Sequence, residues 1–123
     1  MRILLLADIH ANWAALQAIQ EPFDTCLFLG DLVDYGLEPS PCIRWVQEHA
    51  THAVRGNHDH GVAQQVKVQG RNGFRYLSGV TRQITQERIS ADERRYLGAL
   101  PITKRVTLDG AKFLLVHVYF RHT

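Results

Sequence analysis

The chain has 123 residues, of which 46% are hydrophobic, and its 14 basic and 12 acidic residues give a formal net charge of +2. This length and composition predict one folded domain with a core of its own, and they exclude a low-complexity or disordered protein. No apolar run reaches the roughly 18 residues of a membrane span, and Asp8 and His10 interrupt the apolar N-terminus too early for a signal peptide. We therefore expect a cytoplasmic protein.

The charge is distributed unevenly along the chain. Residues 1–66 carry a net charge of −5 and residues 67–105 a net charge of +6. We expect a cation site in the acidic part, and solvated helix faces rather than a nucleic-acid surface in the basic part. Arg71, Arg75 and Arg82 are candidates to meet a substrate phosphate, although helix-surface charge is the favoured interpretation. Cys26 and Cys42 form neither a disulfide framework nor a zinc pair.

The first half of the chain alternates apolar strands with amphipathic helices. Asn12 can cap a helix from Trp13 to about Gln20, and Ser40 can cap a second helix that starts with Pro41. The order β-α-β-α-β predicts a parallel sheet whose functional loops gather at the carboxyl ends of its strands. The three strands are predicted at Arg2–Ala7, Thr25–Leu29 and Thr51–Val54, and the second helix buries Ile43, Val46 and Ala50.

The pattern weakens after His60. We predict a helix near Val62–Val66 and another from about Tyr76 to Arg88, with Leu77, Val80 and Ile84 facing inward. Ser90 and Glu93 have the spacing of a capping box for a short helix that ends at Gly98.

Asp109-Gly110 predicts a two-residue hairpin turn between strands at Thr103–Leu108 and Ala111–Phe120. The second of these strands is long and apolar, so another layer or a partner must cover it, and nothing else in the sequence is a candidate for that cover. Its free edge can pair with a second copy, which would give a homodimer through the C-terminal edge strand.

Polar side chains with metal-ligand chemistry follow all three strands of the predicted sheet. Asp8 and His10 follow the first, Asp31 and Asp34 the second, and the third leads into the stretch Arg55-Gly56-Asn57-His58-Asp59. Gly30 before Asp31 allows the backbone to approach closely, so that the Asp31 carboxylate can bridge two ions. Mixed oxygen and nitrogen ligands suit manganese, iron, zinc or nickel rather than calcium. The sequence therefore predicts a metal site at this edge of the sheet.

Further roles follow if two ions bind. Asn57 offers a neutral oxygen and His117 an imidazole, and two ions together can hold a phosphate and activate a water molecule. His58 then fits a proton donor to the leaving oxygen, and Asp34 fits the carboxylate that orients it. Alternatives remain open: Asp8 can be a helix cap, His117 a satisfied core histidine, and Asn57 a turn residue. The remaining histidines are interpreted as surface or capping residues: His49, His52, His60 and His122.

The motifs Asp8-Ile9-His10, Gly30-Asp31-Leu32-Val33-Asp34 and Gly56-Asn57-His58-Asp59 resemble the first three motifs of the calcineurin-like metallophosphoesterases. Leu114-Leu115-Val116-His117 resembles the strand that carries the fourth, and the chain is most similar to the diadenosine tetraphosphatase and small phosphodiesterase branch. The resemblance covers essentially the whole chain. It implies the N-terminal part of a four-layer α/β/β/α sandwich that hydrolyses a small-molecule or nucleotide phosphate ester.

The resemblance also implies individual roles. Asp8, His10 and Asp31 would hold one divalent ion, and Asp31, Asn57 and His117 a second. Manganese is favoured by ligand type, with iron, zinc, nickel and magnesium as alternatives. His58 would protonate the leaving group, paired with Asp34.

The chain departs from the family pattern in three places. Ala11 and Val118 stand where members usually have glycine, and the later Gly-His-x-His motif has only a faint echo in Arg121-His122-Thr123. We therefore expect the first half of the fold, from a truncated chain, with weak metal retention and weak or no activity alone. A non-enzymatic binding or scaffold module on the same architecture is the alternative function.

Overall fold

The computed structural model describes residues 1–118, which form five helices, a three-stranded sheet and a two-stranded sheet. None of the helices in this part of the chain is long and apolar enough to cross a membrane. In chain order the elements are β1 Ile3–Leu6, α1 Trp13–Gln17, β2 Thr25–Phe28, α2 Pro39–His49, β3 His52–Ala53, α3 Asn57–Ala63, α4 Gly73–Arg88, α5 Ala91–Ala99, β4 Thr103–Leu108 and β5 Ala111–Val116.

The larger sheet is parallel, with β2 between β1 and β3. Leu4 pairs with Cys26 and Leu27 pairs with His52, so the three strands end at the same edge. All four residues of β2 are buried. A continuous apolar strand is typical of a parallel sheet that is covered on both faces. The predicted parallel β-α-β-α-β arrangement is confirmed.

Two hydrophobic clusters lie on opposite faces of this sheet. Phe28 faces the helices, where it packs with Leu16 of α1, Ile43 of α2, Val62 of α3 and Leu97 of α5. On the other face, the buried residues of the β4–β5 hairpin join those of the sheet, namely Leu27, Val54, Val106 and Leu115. Helices, parallel sheet and hairpin thus form successive layers. The predicted α/β fold class is confirmed.

The helix caps predicted from the sequence are only partly confirmed. The Asn12 side chain accepts a hydrogen bond from the Ala15 backbone N–H at the start of α1, as predicted, but α1 ends at Gln17 rather than Gln20. The capping box of α5 is confirmed, because the Ser90 side chain accepts the Glu93 backbone N–H at 3.0 Å and the Glu93 side chain accepts the Ser90 backbone N–H at 2.8 Å. The predicted Ser40 cap is wrong: α2 starts at Pro39, and the Ser40 hydroxyl donates to Glu93 at 2.6 Å.

The inward face predicted for α4 is wrong. Leu77 and Val80 are 42% and 43% exposed, and Ile84 is half-buried. The helix packs against polar groups of the loops beside it, so its buried side chains are polar as well. They are Ser78, Thr81, Arg82 and Thr85.

The helix predicted near Val62–Val66 is also misplaced, because α3 spans Asn57–Ala63 and therefore starts within the polar stretch itself. The Asp59 carboxylate accepts the Gly56 backbone N–H at 2.9 Å, which stabilises this helix start.

The β4–β5 hairpin has the predicted turn. Asp109 and Gly110 both have positive φ angles, 50° and 80°, as a two-residue turn of this type requires. Val106 pairs with Phe113 in the antiparallel register. Leu114 is 59% exposed, in agreement with the expectation that the strand needs cover. Two predicted residues of the last strand, Tyr119 and Phe120, lie outside the described residues. So does Arg121-His122-Thr123, the stretch that faintly resembles the Gly-His-x-His motif.

Candidate active site

The loops that follow β1 and β2 have an unusual backbone. L-amino acids rarely adopt positive φ, and such conformations concentrate at functional sites, where the surrounding structure enforces them. The two loops are joined by backbone hydrogen bonds, including one from the Asp8 N–H to the Gly30 carbonyl at 2.9 Å and one from the His10 N–H to the Asp31 carbonyl at 3.1 Å. Six non-glycine residues in these loops have φ between 48° and 67°: Asp8, His10, Ala11, Asp31, Asp34 and Tyr35.

Two glycines bring the second and third loops into contact. A Cβ atom on Gly30 would lie 2.7 Å from the Gly56 nitrogen. A Cβ atom on Gly56 would lie 2.2 Å from Asp31 Oδ1 and 2.4 Å from the Asp31 nitrogen. Only glycine fits such distances. This is the close backbone approach that the sequence suggested for Gly30.

Asp59 fastens the same two loops together. Its side chain is fully buried, and it accepts backbone N–H groups from Asp31 at 2.9 Å, Leu32 at 2.7 Å and Gly56 at 2.9 Å. Burial raises the pKa of Asp59 to about 6, even though these three donors favour the carboxylate. The sequence analysis placed Asp59 in the motif but gave it no role. An acidic residue three positions after a helix N-cap was the available signal.

Four of the residues predicted to hold metal lie together. Asp8, His10 and Asp31 each offer a ligand atom, and these atoms lie within 4.8 Å of one another. His10 Nε2 is 3.7 Å from a carboxylate oxygen of Asp8 and 3.7 Å from one of Asp31. His117 Nε2 is 3.1 Å from Asp31 Oδ2 and 4.0 Å from Asp8 Oδ1. Asp31 therefore lies between the two imidazoles.

Both imidazoles are oriented by the backbone. The Nδ1 atom of His10 is 2.8 Å from the Val33 carbonyl, and that of His117 is 2.8 Å from the Leu29 carbonyl. A carbonyl only accepts, so Nδ1 donates its N–H there, and Nε2 is the nitrogen that faces the carboxylates and is available to a metal ion. Within residues 1–118, no Lys or Arg forms an ion pair with Asp8 or Asp31. This donor set fits divalent transition-metal ions.

The structure also bears on the alternatives for single residues. Asn12 rather than Asp8 caps α1. Asn57 is exposed at the start of α3, where it lines a cleft with His117, and the structure gives it no contact with the carboxylates. His117 Nδ1 is hydrogen-bonded to the Leu29 carbonyl, as expected of a core histidine, but His117 Nε2 faces Asp31, as expected of a metal ligand.

His58 and Asp34 form a contact beside this cluster. His58 Nδ1 donates to Asp34 Oδ2 at 2.7 Å, and the backbone N–H of His58 donates to Asp31 Oδ1 at 3.0 Å. Burial alone would lower the pKa of His58, but its hydrogen bond to Asp34 and the charges of Asp31 and Asp34 outweigh it, so the pKa is raised. The ring lies 5.0 Å from that of His10, centroid to centroid.

Arg82 supports Asp34 from α4. Burial would raise the pKa of Asp34, yet hydrogen bonds from His58 and Arg82 together with their charges lower it. The expectation of helix-surface charge is wrong for Arg82, which is only 7% exposed. No short-range signal could have revealed this contact, because 48 residues separate the two partners.

Aromatic rings border the site on the side of His58. The ring centroid of Tyr35 lies 4.8 Å from His10, 5.1 Å from His58 and 6.2 Å from Phe74. Phe74 is 78% exposed. Thr81 of α4 accepts the Tyr35 backbone N–H at 2.9 Å, which fixes the loop that presents this ring. The sequence analysis did not assign these aromatic residues to the site.

The remaining histidines are only partly as expected. His49 and His60 are exposed. His52 is half-buried in the edge strand β3, and burial lowers its pKa with a smaller contribution from Lys104. His122 lies outside the described residues.

Known proteins match both the sequence and the fold. The uncharacterized protein MJ0912 of Methanocaldococcus jannaschii is 26% identical over 125 residues, which cover 98% of this chain and 50% of that protein. The structure of a metallophosphoesterase from Sphaerobacter thermophilus aligns with a TM-score of 0.69 at 32% identity, over 87% of this chain and 44% of that one. A protein provisionally assigned as a diadenosine tetraphosphatase aligns with a TM-score of 0.60 at 25% identity, over 83% and 44%.

The chain thus spans about half the length of the relatives that it matches. The family model of the calcineurin-like phosphoesterases matches residues 1–121, nearly the entire sequence. That match agrees with the cluster of Asp8, His10, Asp31 and His117 at the carboxyl edge of the parallel sheet. The chain therefore belongs to the calcineurin-like phosphoesterase family.

Proposed function

We propose that this protein is a metal-dependent hydrolase of phosphate esters. The observation that carries the proposal is the arrangement of the two imidazoles, whose Nε2 atoms face the Asp8 and Asp31 carboxylates while backbone carbonyls hold their Nδ1 atoms. A buried carboxylate without a cationic partner is costly, so this cluster favours a divalent cation. Family membership supports the same conclusion.

Asp8, His10 and Asp31 would hold one ion, and Asp31, Asn57 and His117 would hold a second. When bound, such ions polarise the phosphoryl oxygens and lower the pKa of a water molecule that serves as nucleophile. Manganese fits the mixed carboxylate, amide and imidazole ligands. Asp31 is the residue common to both positions, and its backbone N–H is held by Asp59 at 2.9 Å.

His58 would supply the proton to the leaving oxygen. Its Nδ1–H is held by Asp34, which leaves Nε2 as the atom that carries the transferable proton. The raised pKa of His58 keeps a larger fraction of the imidazole protonated near neutral pH. The ring lies next to the carboxylate cluster, so a phosphate held there has its leaving oxygen within reach of the imidazole.

The substrate would be a small-molecule or nucleotide phosphate ester. The exposed Phe74 ring and the Tyr35 ring beside His58, which meet edge to face at 76°, offer aromatic surfaces on the side of the leaving group. Stacking of a base on an aromatic side chain contributes about 1–3 kcal/mol. The likeness to a provisionally assigned diadenosine tetraphosphatase agrees with a nucleotide leaving group.

The test begins with metal-stripped protein. Hydrolysis of diphenyl phosphate, whose leaving group needs a proton, is measured with and without added manganese, and calorimetry measures manganese binding separately. We expect binding and low, manganese-dependent turnover, which His58→Ala and Asn57→Ala reduce at least tenfold. His49→Ala is the control, since His49 is exposed on α2 and stacks on Trp45.

Undiminished hydrolysis in both variants would contradict the assigned roles. Absence of manganese binding would contradict the metal site itself and favour the alternative of a binding or scaffold module. The retained ligand geometry favours chemistry, because a scaffold has no need for two histidines held with their free nitrogens facing carboxylates.

A further inference from the structure

We propose that Arg82 is a positioning residue for His58, acting through Asp34. In this arrangement α4 determines which nitrogen of the imidazole faces the substrate. The inference deepens the proposed function, since it rests on His58 as the proton donor. The contact on which it depends lies entirely within this chain and can be measured without turnover.

The guanidinium holds the Asp34 carboxylate through three hydrogen bonds. Arg82 Nε donates to Oδ1 and Oδ2, at 3.0 Å each, and Nη2 donates to Oδ2 at 2.6 Å. Asp34 is fully buried and Arg82 is 7% exposed. A planar guanidinium that bonds both oxygens fixes the plane of the carboxylate, which a lysine ammonium cannot do.

The carboxylate plane in turn fixes the imidazole. Asp34 Oδ2 accepts from both Arg82 and His58 Nδ1, the latter at 2.7 Å. Once Arg82 has bound this oxygen, the position from which His58 Nδ1 can donate to it is fixed. His58 then keeps its Nδ1–H on the Asp34 side, and its ring lies 5.0 Å from that of His10, centroid to centroid.

The guanidinium is itself held on its far side. Arg82 Nη1 donates to the Val66 carbonyl at 2.8 Å. A Cβ atom on Gly61 would lie 2.6 Å from Nη1 and 2.9 Å from Nη2, so the absence of a side chain there makes room for the guanidinium. Gly61 belongs to α3, the same helix that presents Asn57 and His58 at its start. One helix therefore both presents His58 and seats the group that positions it.

The first experiment observes His58 directly in the metal-free 123-residue chain. Long-range 1H–15N NMR, recorded at a pH high enough that the His58 ring is neutral, reports which imidazole nitrogen carries the proton, and the His58→Ala variant identifies the signal. We expect wild-type His58 to show a single, hydrogen-bonded Nδ1–H. In Arg82→Lys this signal is expected to broaden or to shift toward a mixture of tautomers. Arg95→Lys is the matched control, because Arg95 has a largely exposed side chain on α5.

Gly61→Ala provides a second variant that keeps the charge of Arg82 and displaces only its guanidinium. We expect the same change of the His58 signal as in Arg82→Lys. Circular dichroism and thermal melting confirm that each variant is folded. An unchanged His58 Nδ1–H signal in either folded variant would overturn the proposal, whatever the activity of the protein.

Kinetics supply the second readout. If Arg82 acts through a proton donor, Arg82→Lys should lower kcat about 10- to 100-fold for a phenyl phosphodiester, whose leaving group needs a proton. The loss should be under about threefold for a p-nitrophenyl ester, whose leaving group needs none, and KM should be unchanged for both. In the His58→Ala background the Arg82→Lys change should have no further effect. Equal losses for both esters would also overturn the proposal.

A chain without turnover would count against the proposed function and leave the NMR comparison to decide the positioning role. The two failures are therefore distinguishable.

Discussion

Asp31 and Asp34 stand three residues apart in one loop and have opposite electrostatic surroundings. Both are buried, and both have positive φ angles, 66° and 67°. Asp34 is compensated by the protein itself, through Arg82 and His58. Asp31 contacts two imidazoles and, within residues 1–118, no Lys or Arg. One loop therefore carries a buried carboxylate that pairs with an arginine of the same chain and, three residues earlier, a buried carboxylate whose ion-pair partners among the described residues are imidazoles.

The largest effect should come from neutralising the uncompensated carboxylate. Asp31→Asn removes the charge common to both predicted ion positions, so we expect manganese affinity to fall at least about 100-fold, more than loss of an outer partner causes. Calorimetric titration of the metal-stripped protein measures it. Asp92→Asn, a largely exposed carboxylate on α5, serves as the control. Equal affinity of wild type and Asp31→Asn would refute the assignment.

The next largest effect is a loss of stability on removal of Asp59, whose carboxylate binds the backbone of the Asp31 loop. Asp59→Ala leaves three buried backbone N–H groups without their acceptor. Each such bond to a charged group contributes about 1.5–3 kcal/mol, so the free energy of unfolding should fall by at least about 3 kcal/mol. Urea denaturation followed by circular dichroism measures the change. Glu87→Ala, exposed on α4, should stay within about 0.5 kcal/mol of wild type.

A smaller change displaces Asp31 without altering its charge. In Gly56→Ala the new methyl group would lie 2.2 Å from Asp31 Oδ1, so the two loops must separate. We expect manganese affinity to fall about tenfold, within the range caused by disturbing the support of a ligand. Gly98→Ala in α5 is the control, since its Cβ would meet only Ala63 at 3.4 Å. Retained affinity in Gly56→Ala would show that the close approach is not required.

The smallest effect concerns the buried thiols of the hydrophobic core. Their reaction with an alkylating reagent reports local unfolding of the core next to these loops. Burial, aided by the charge of Glu38, raises the pKa of Cys42 to about 12. A raised thiol pKa favours folding below about pH 9, and this contribution declines as pH rises toward 12. We expect no iodoacetamide labelling of Cys42 or Cys26 in native protein at pH 8, and full labelling in urea. Rapid native labelling would indicate local opening.

Several elements followed from the sequence because their causes are local. The Asp109-Gly110 turn and the Ser90–Glu93 capping box depend on residues at most three positions apart. The continuous apolar run of β2 indicated a buried parallel strand. Since parallel strands end at one edge, Asp8, His10 and Asp31 could be predicted to meet there.

The failures share a different cause. The apolar spacing of Leu77, Val80 and Ile84 predicted the wrong face of α4, because that helix packs against polar groups of a distant loop. Arg82 was interpreted as surface charge although it lies buried against Asp34. Hydrophobic periodicity carries no information on a helix whose buried partners are charged.

The succession of strands and helices, the hairpin and the residue types that surround the site could be predicted from the sequence alone, because these depend on neighbours along the chain. Only the tertiary structure decided which carboxylate is compensated. The bonds from Arg82 to Asp34 and from Asp31 to Asp59 span 48 and 28 residues. Such contacts form only when the parallel sheet brings its loops together and burial makes an unpaired charge costly. Which of the two carboxylates, Asp31 or Asp34, has an arginine as its partner is therefore a property of the fold.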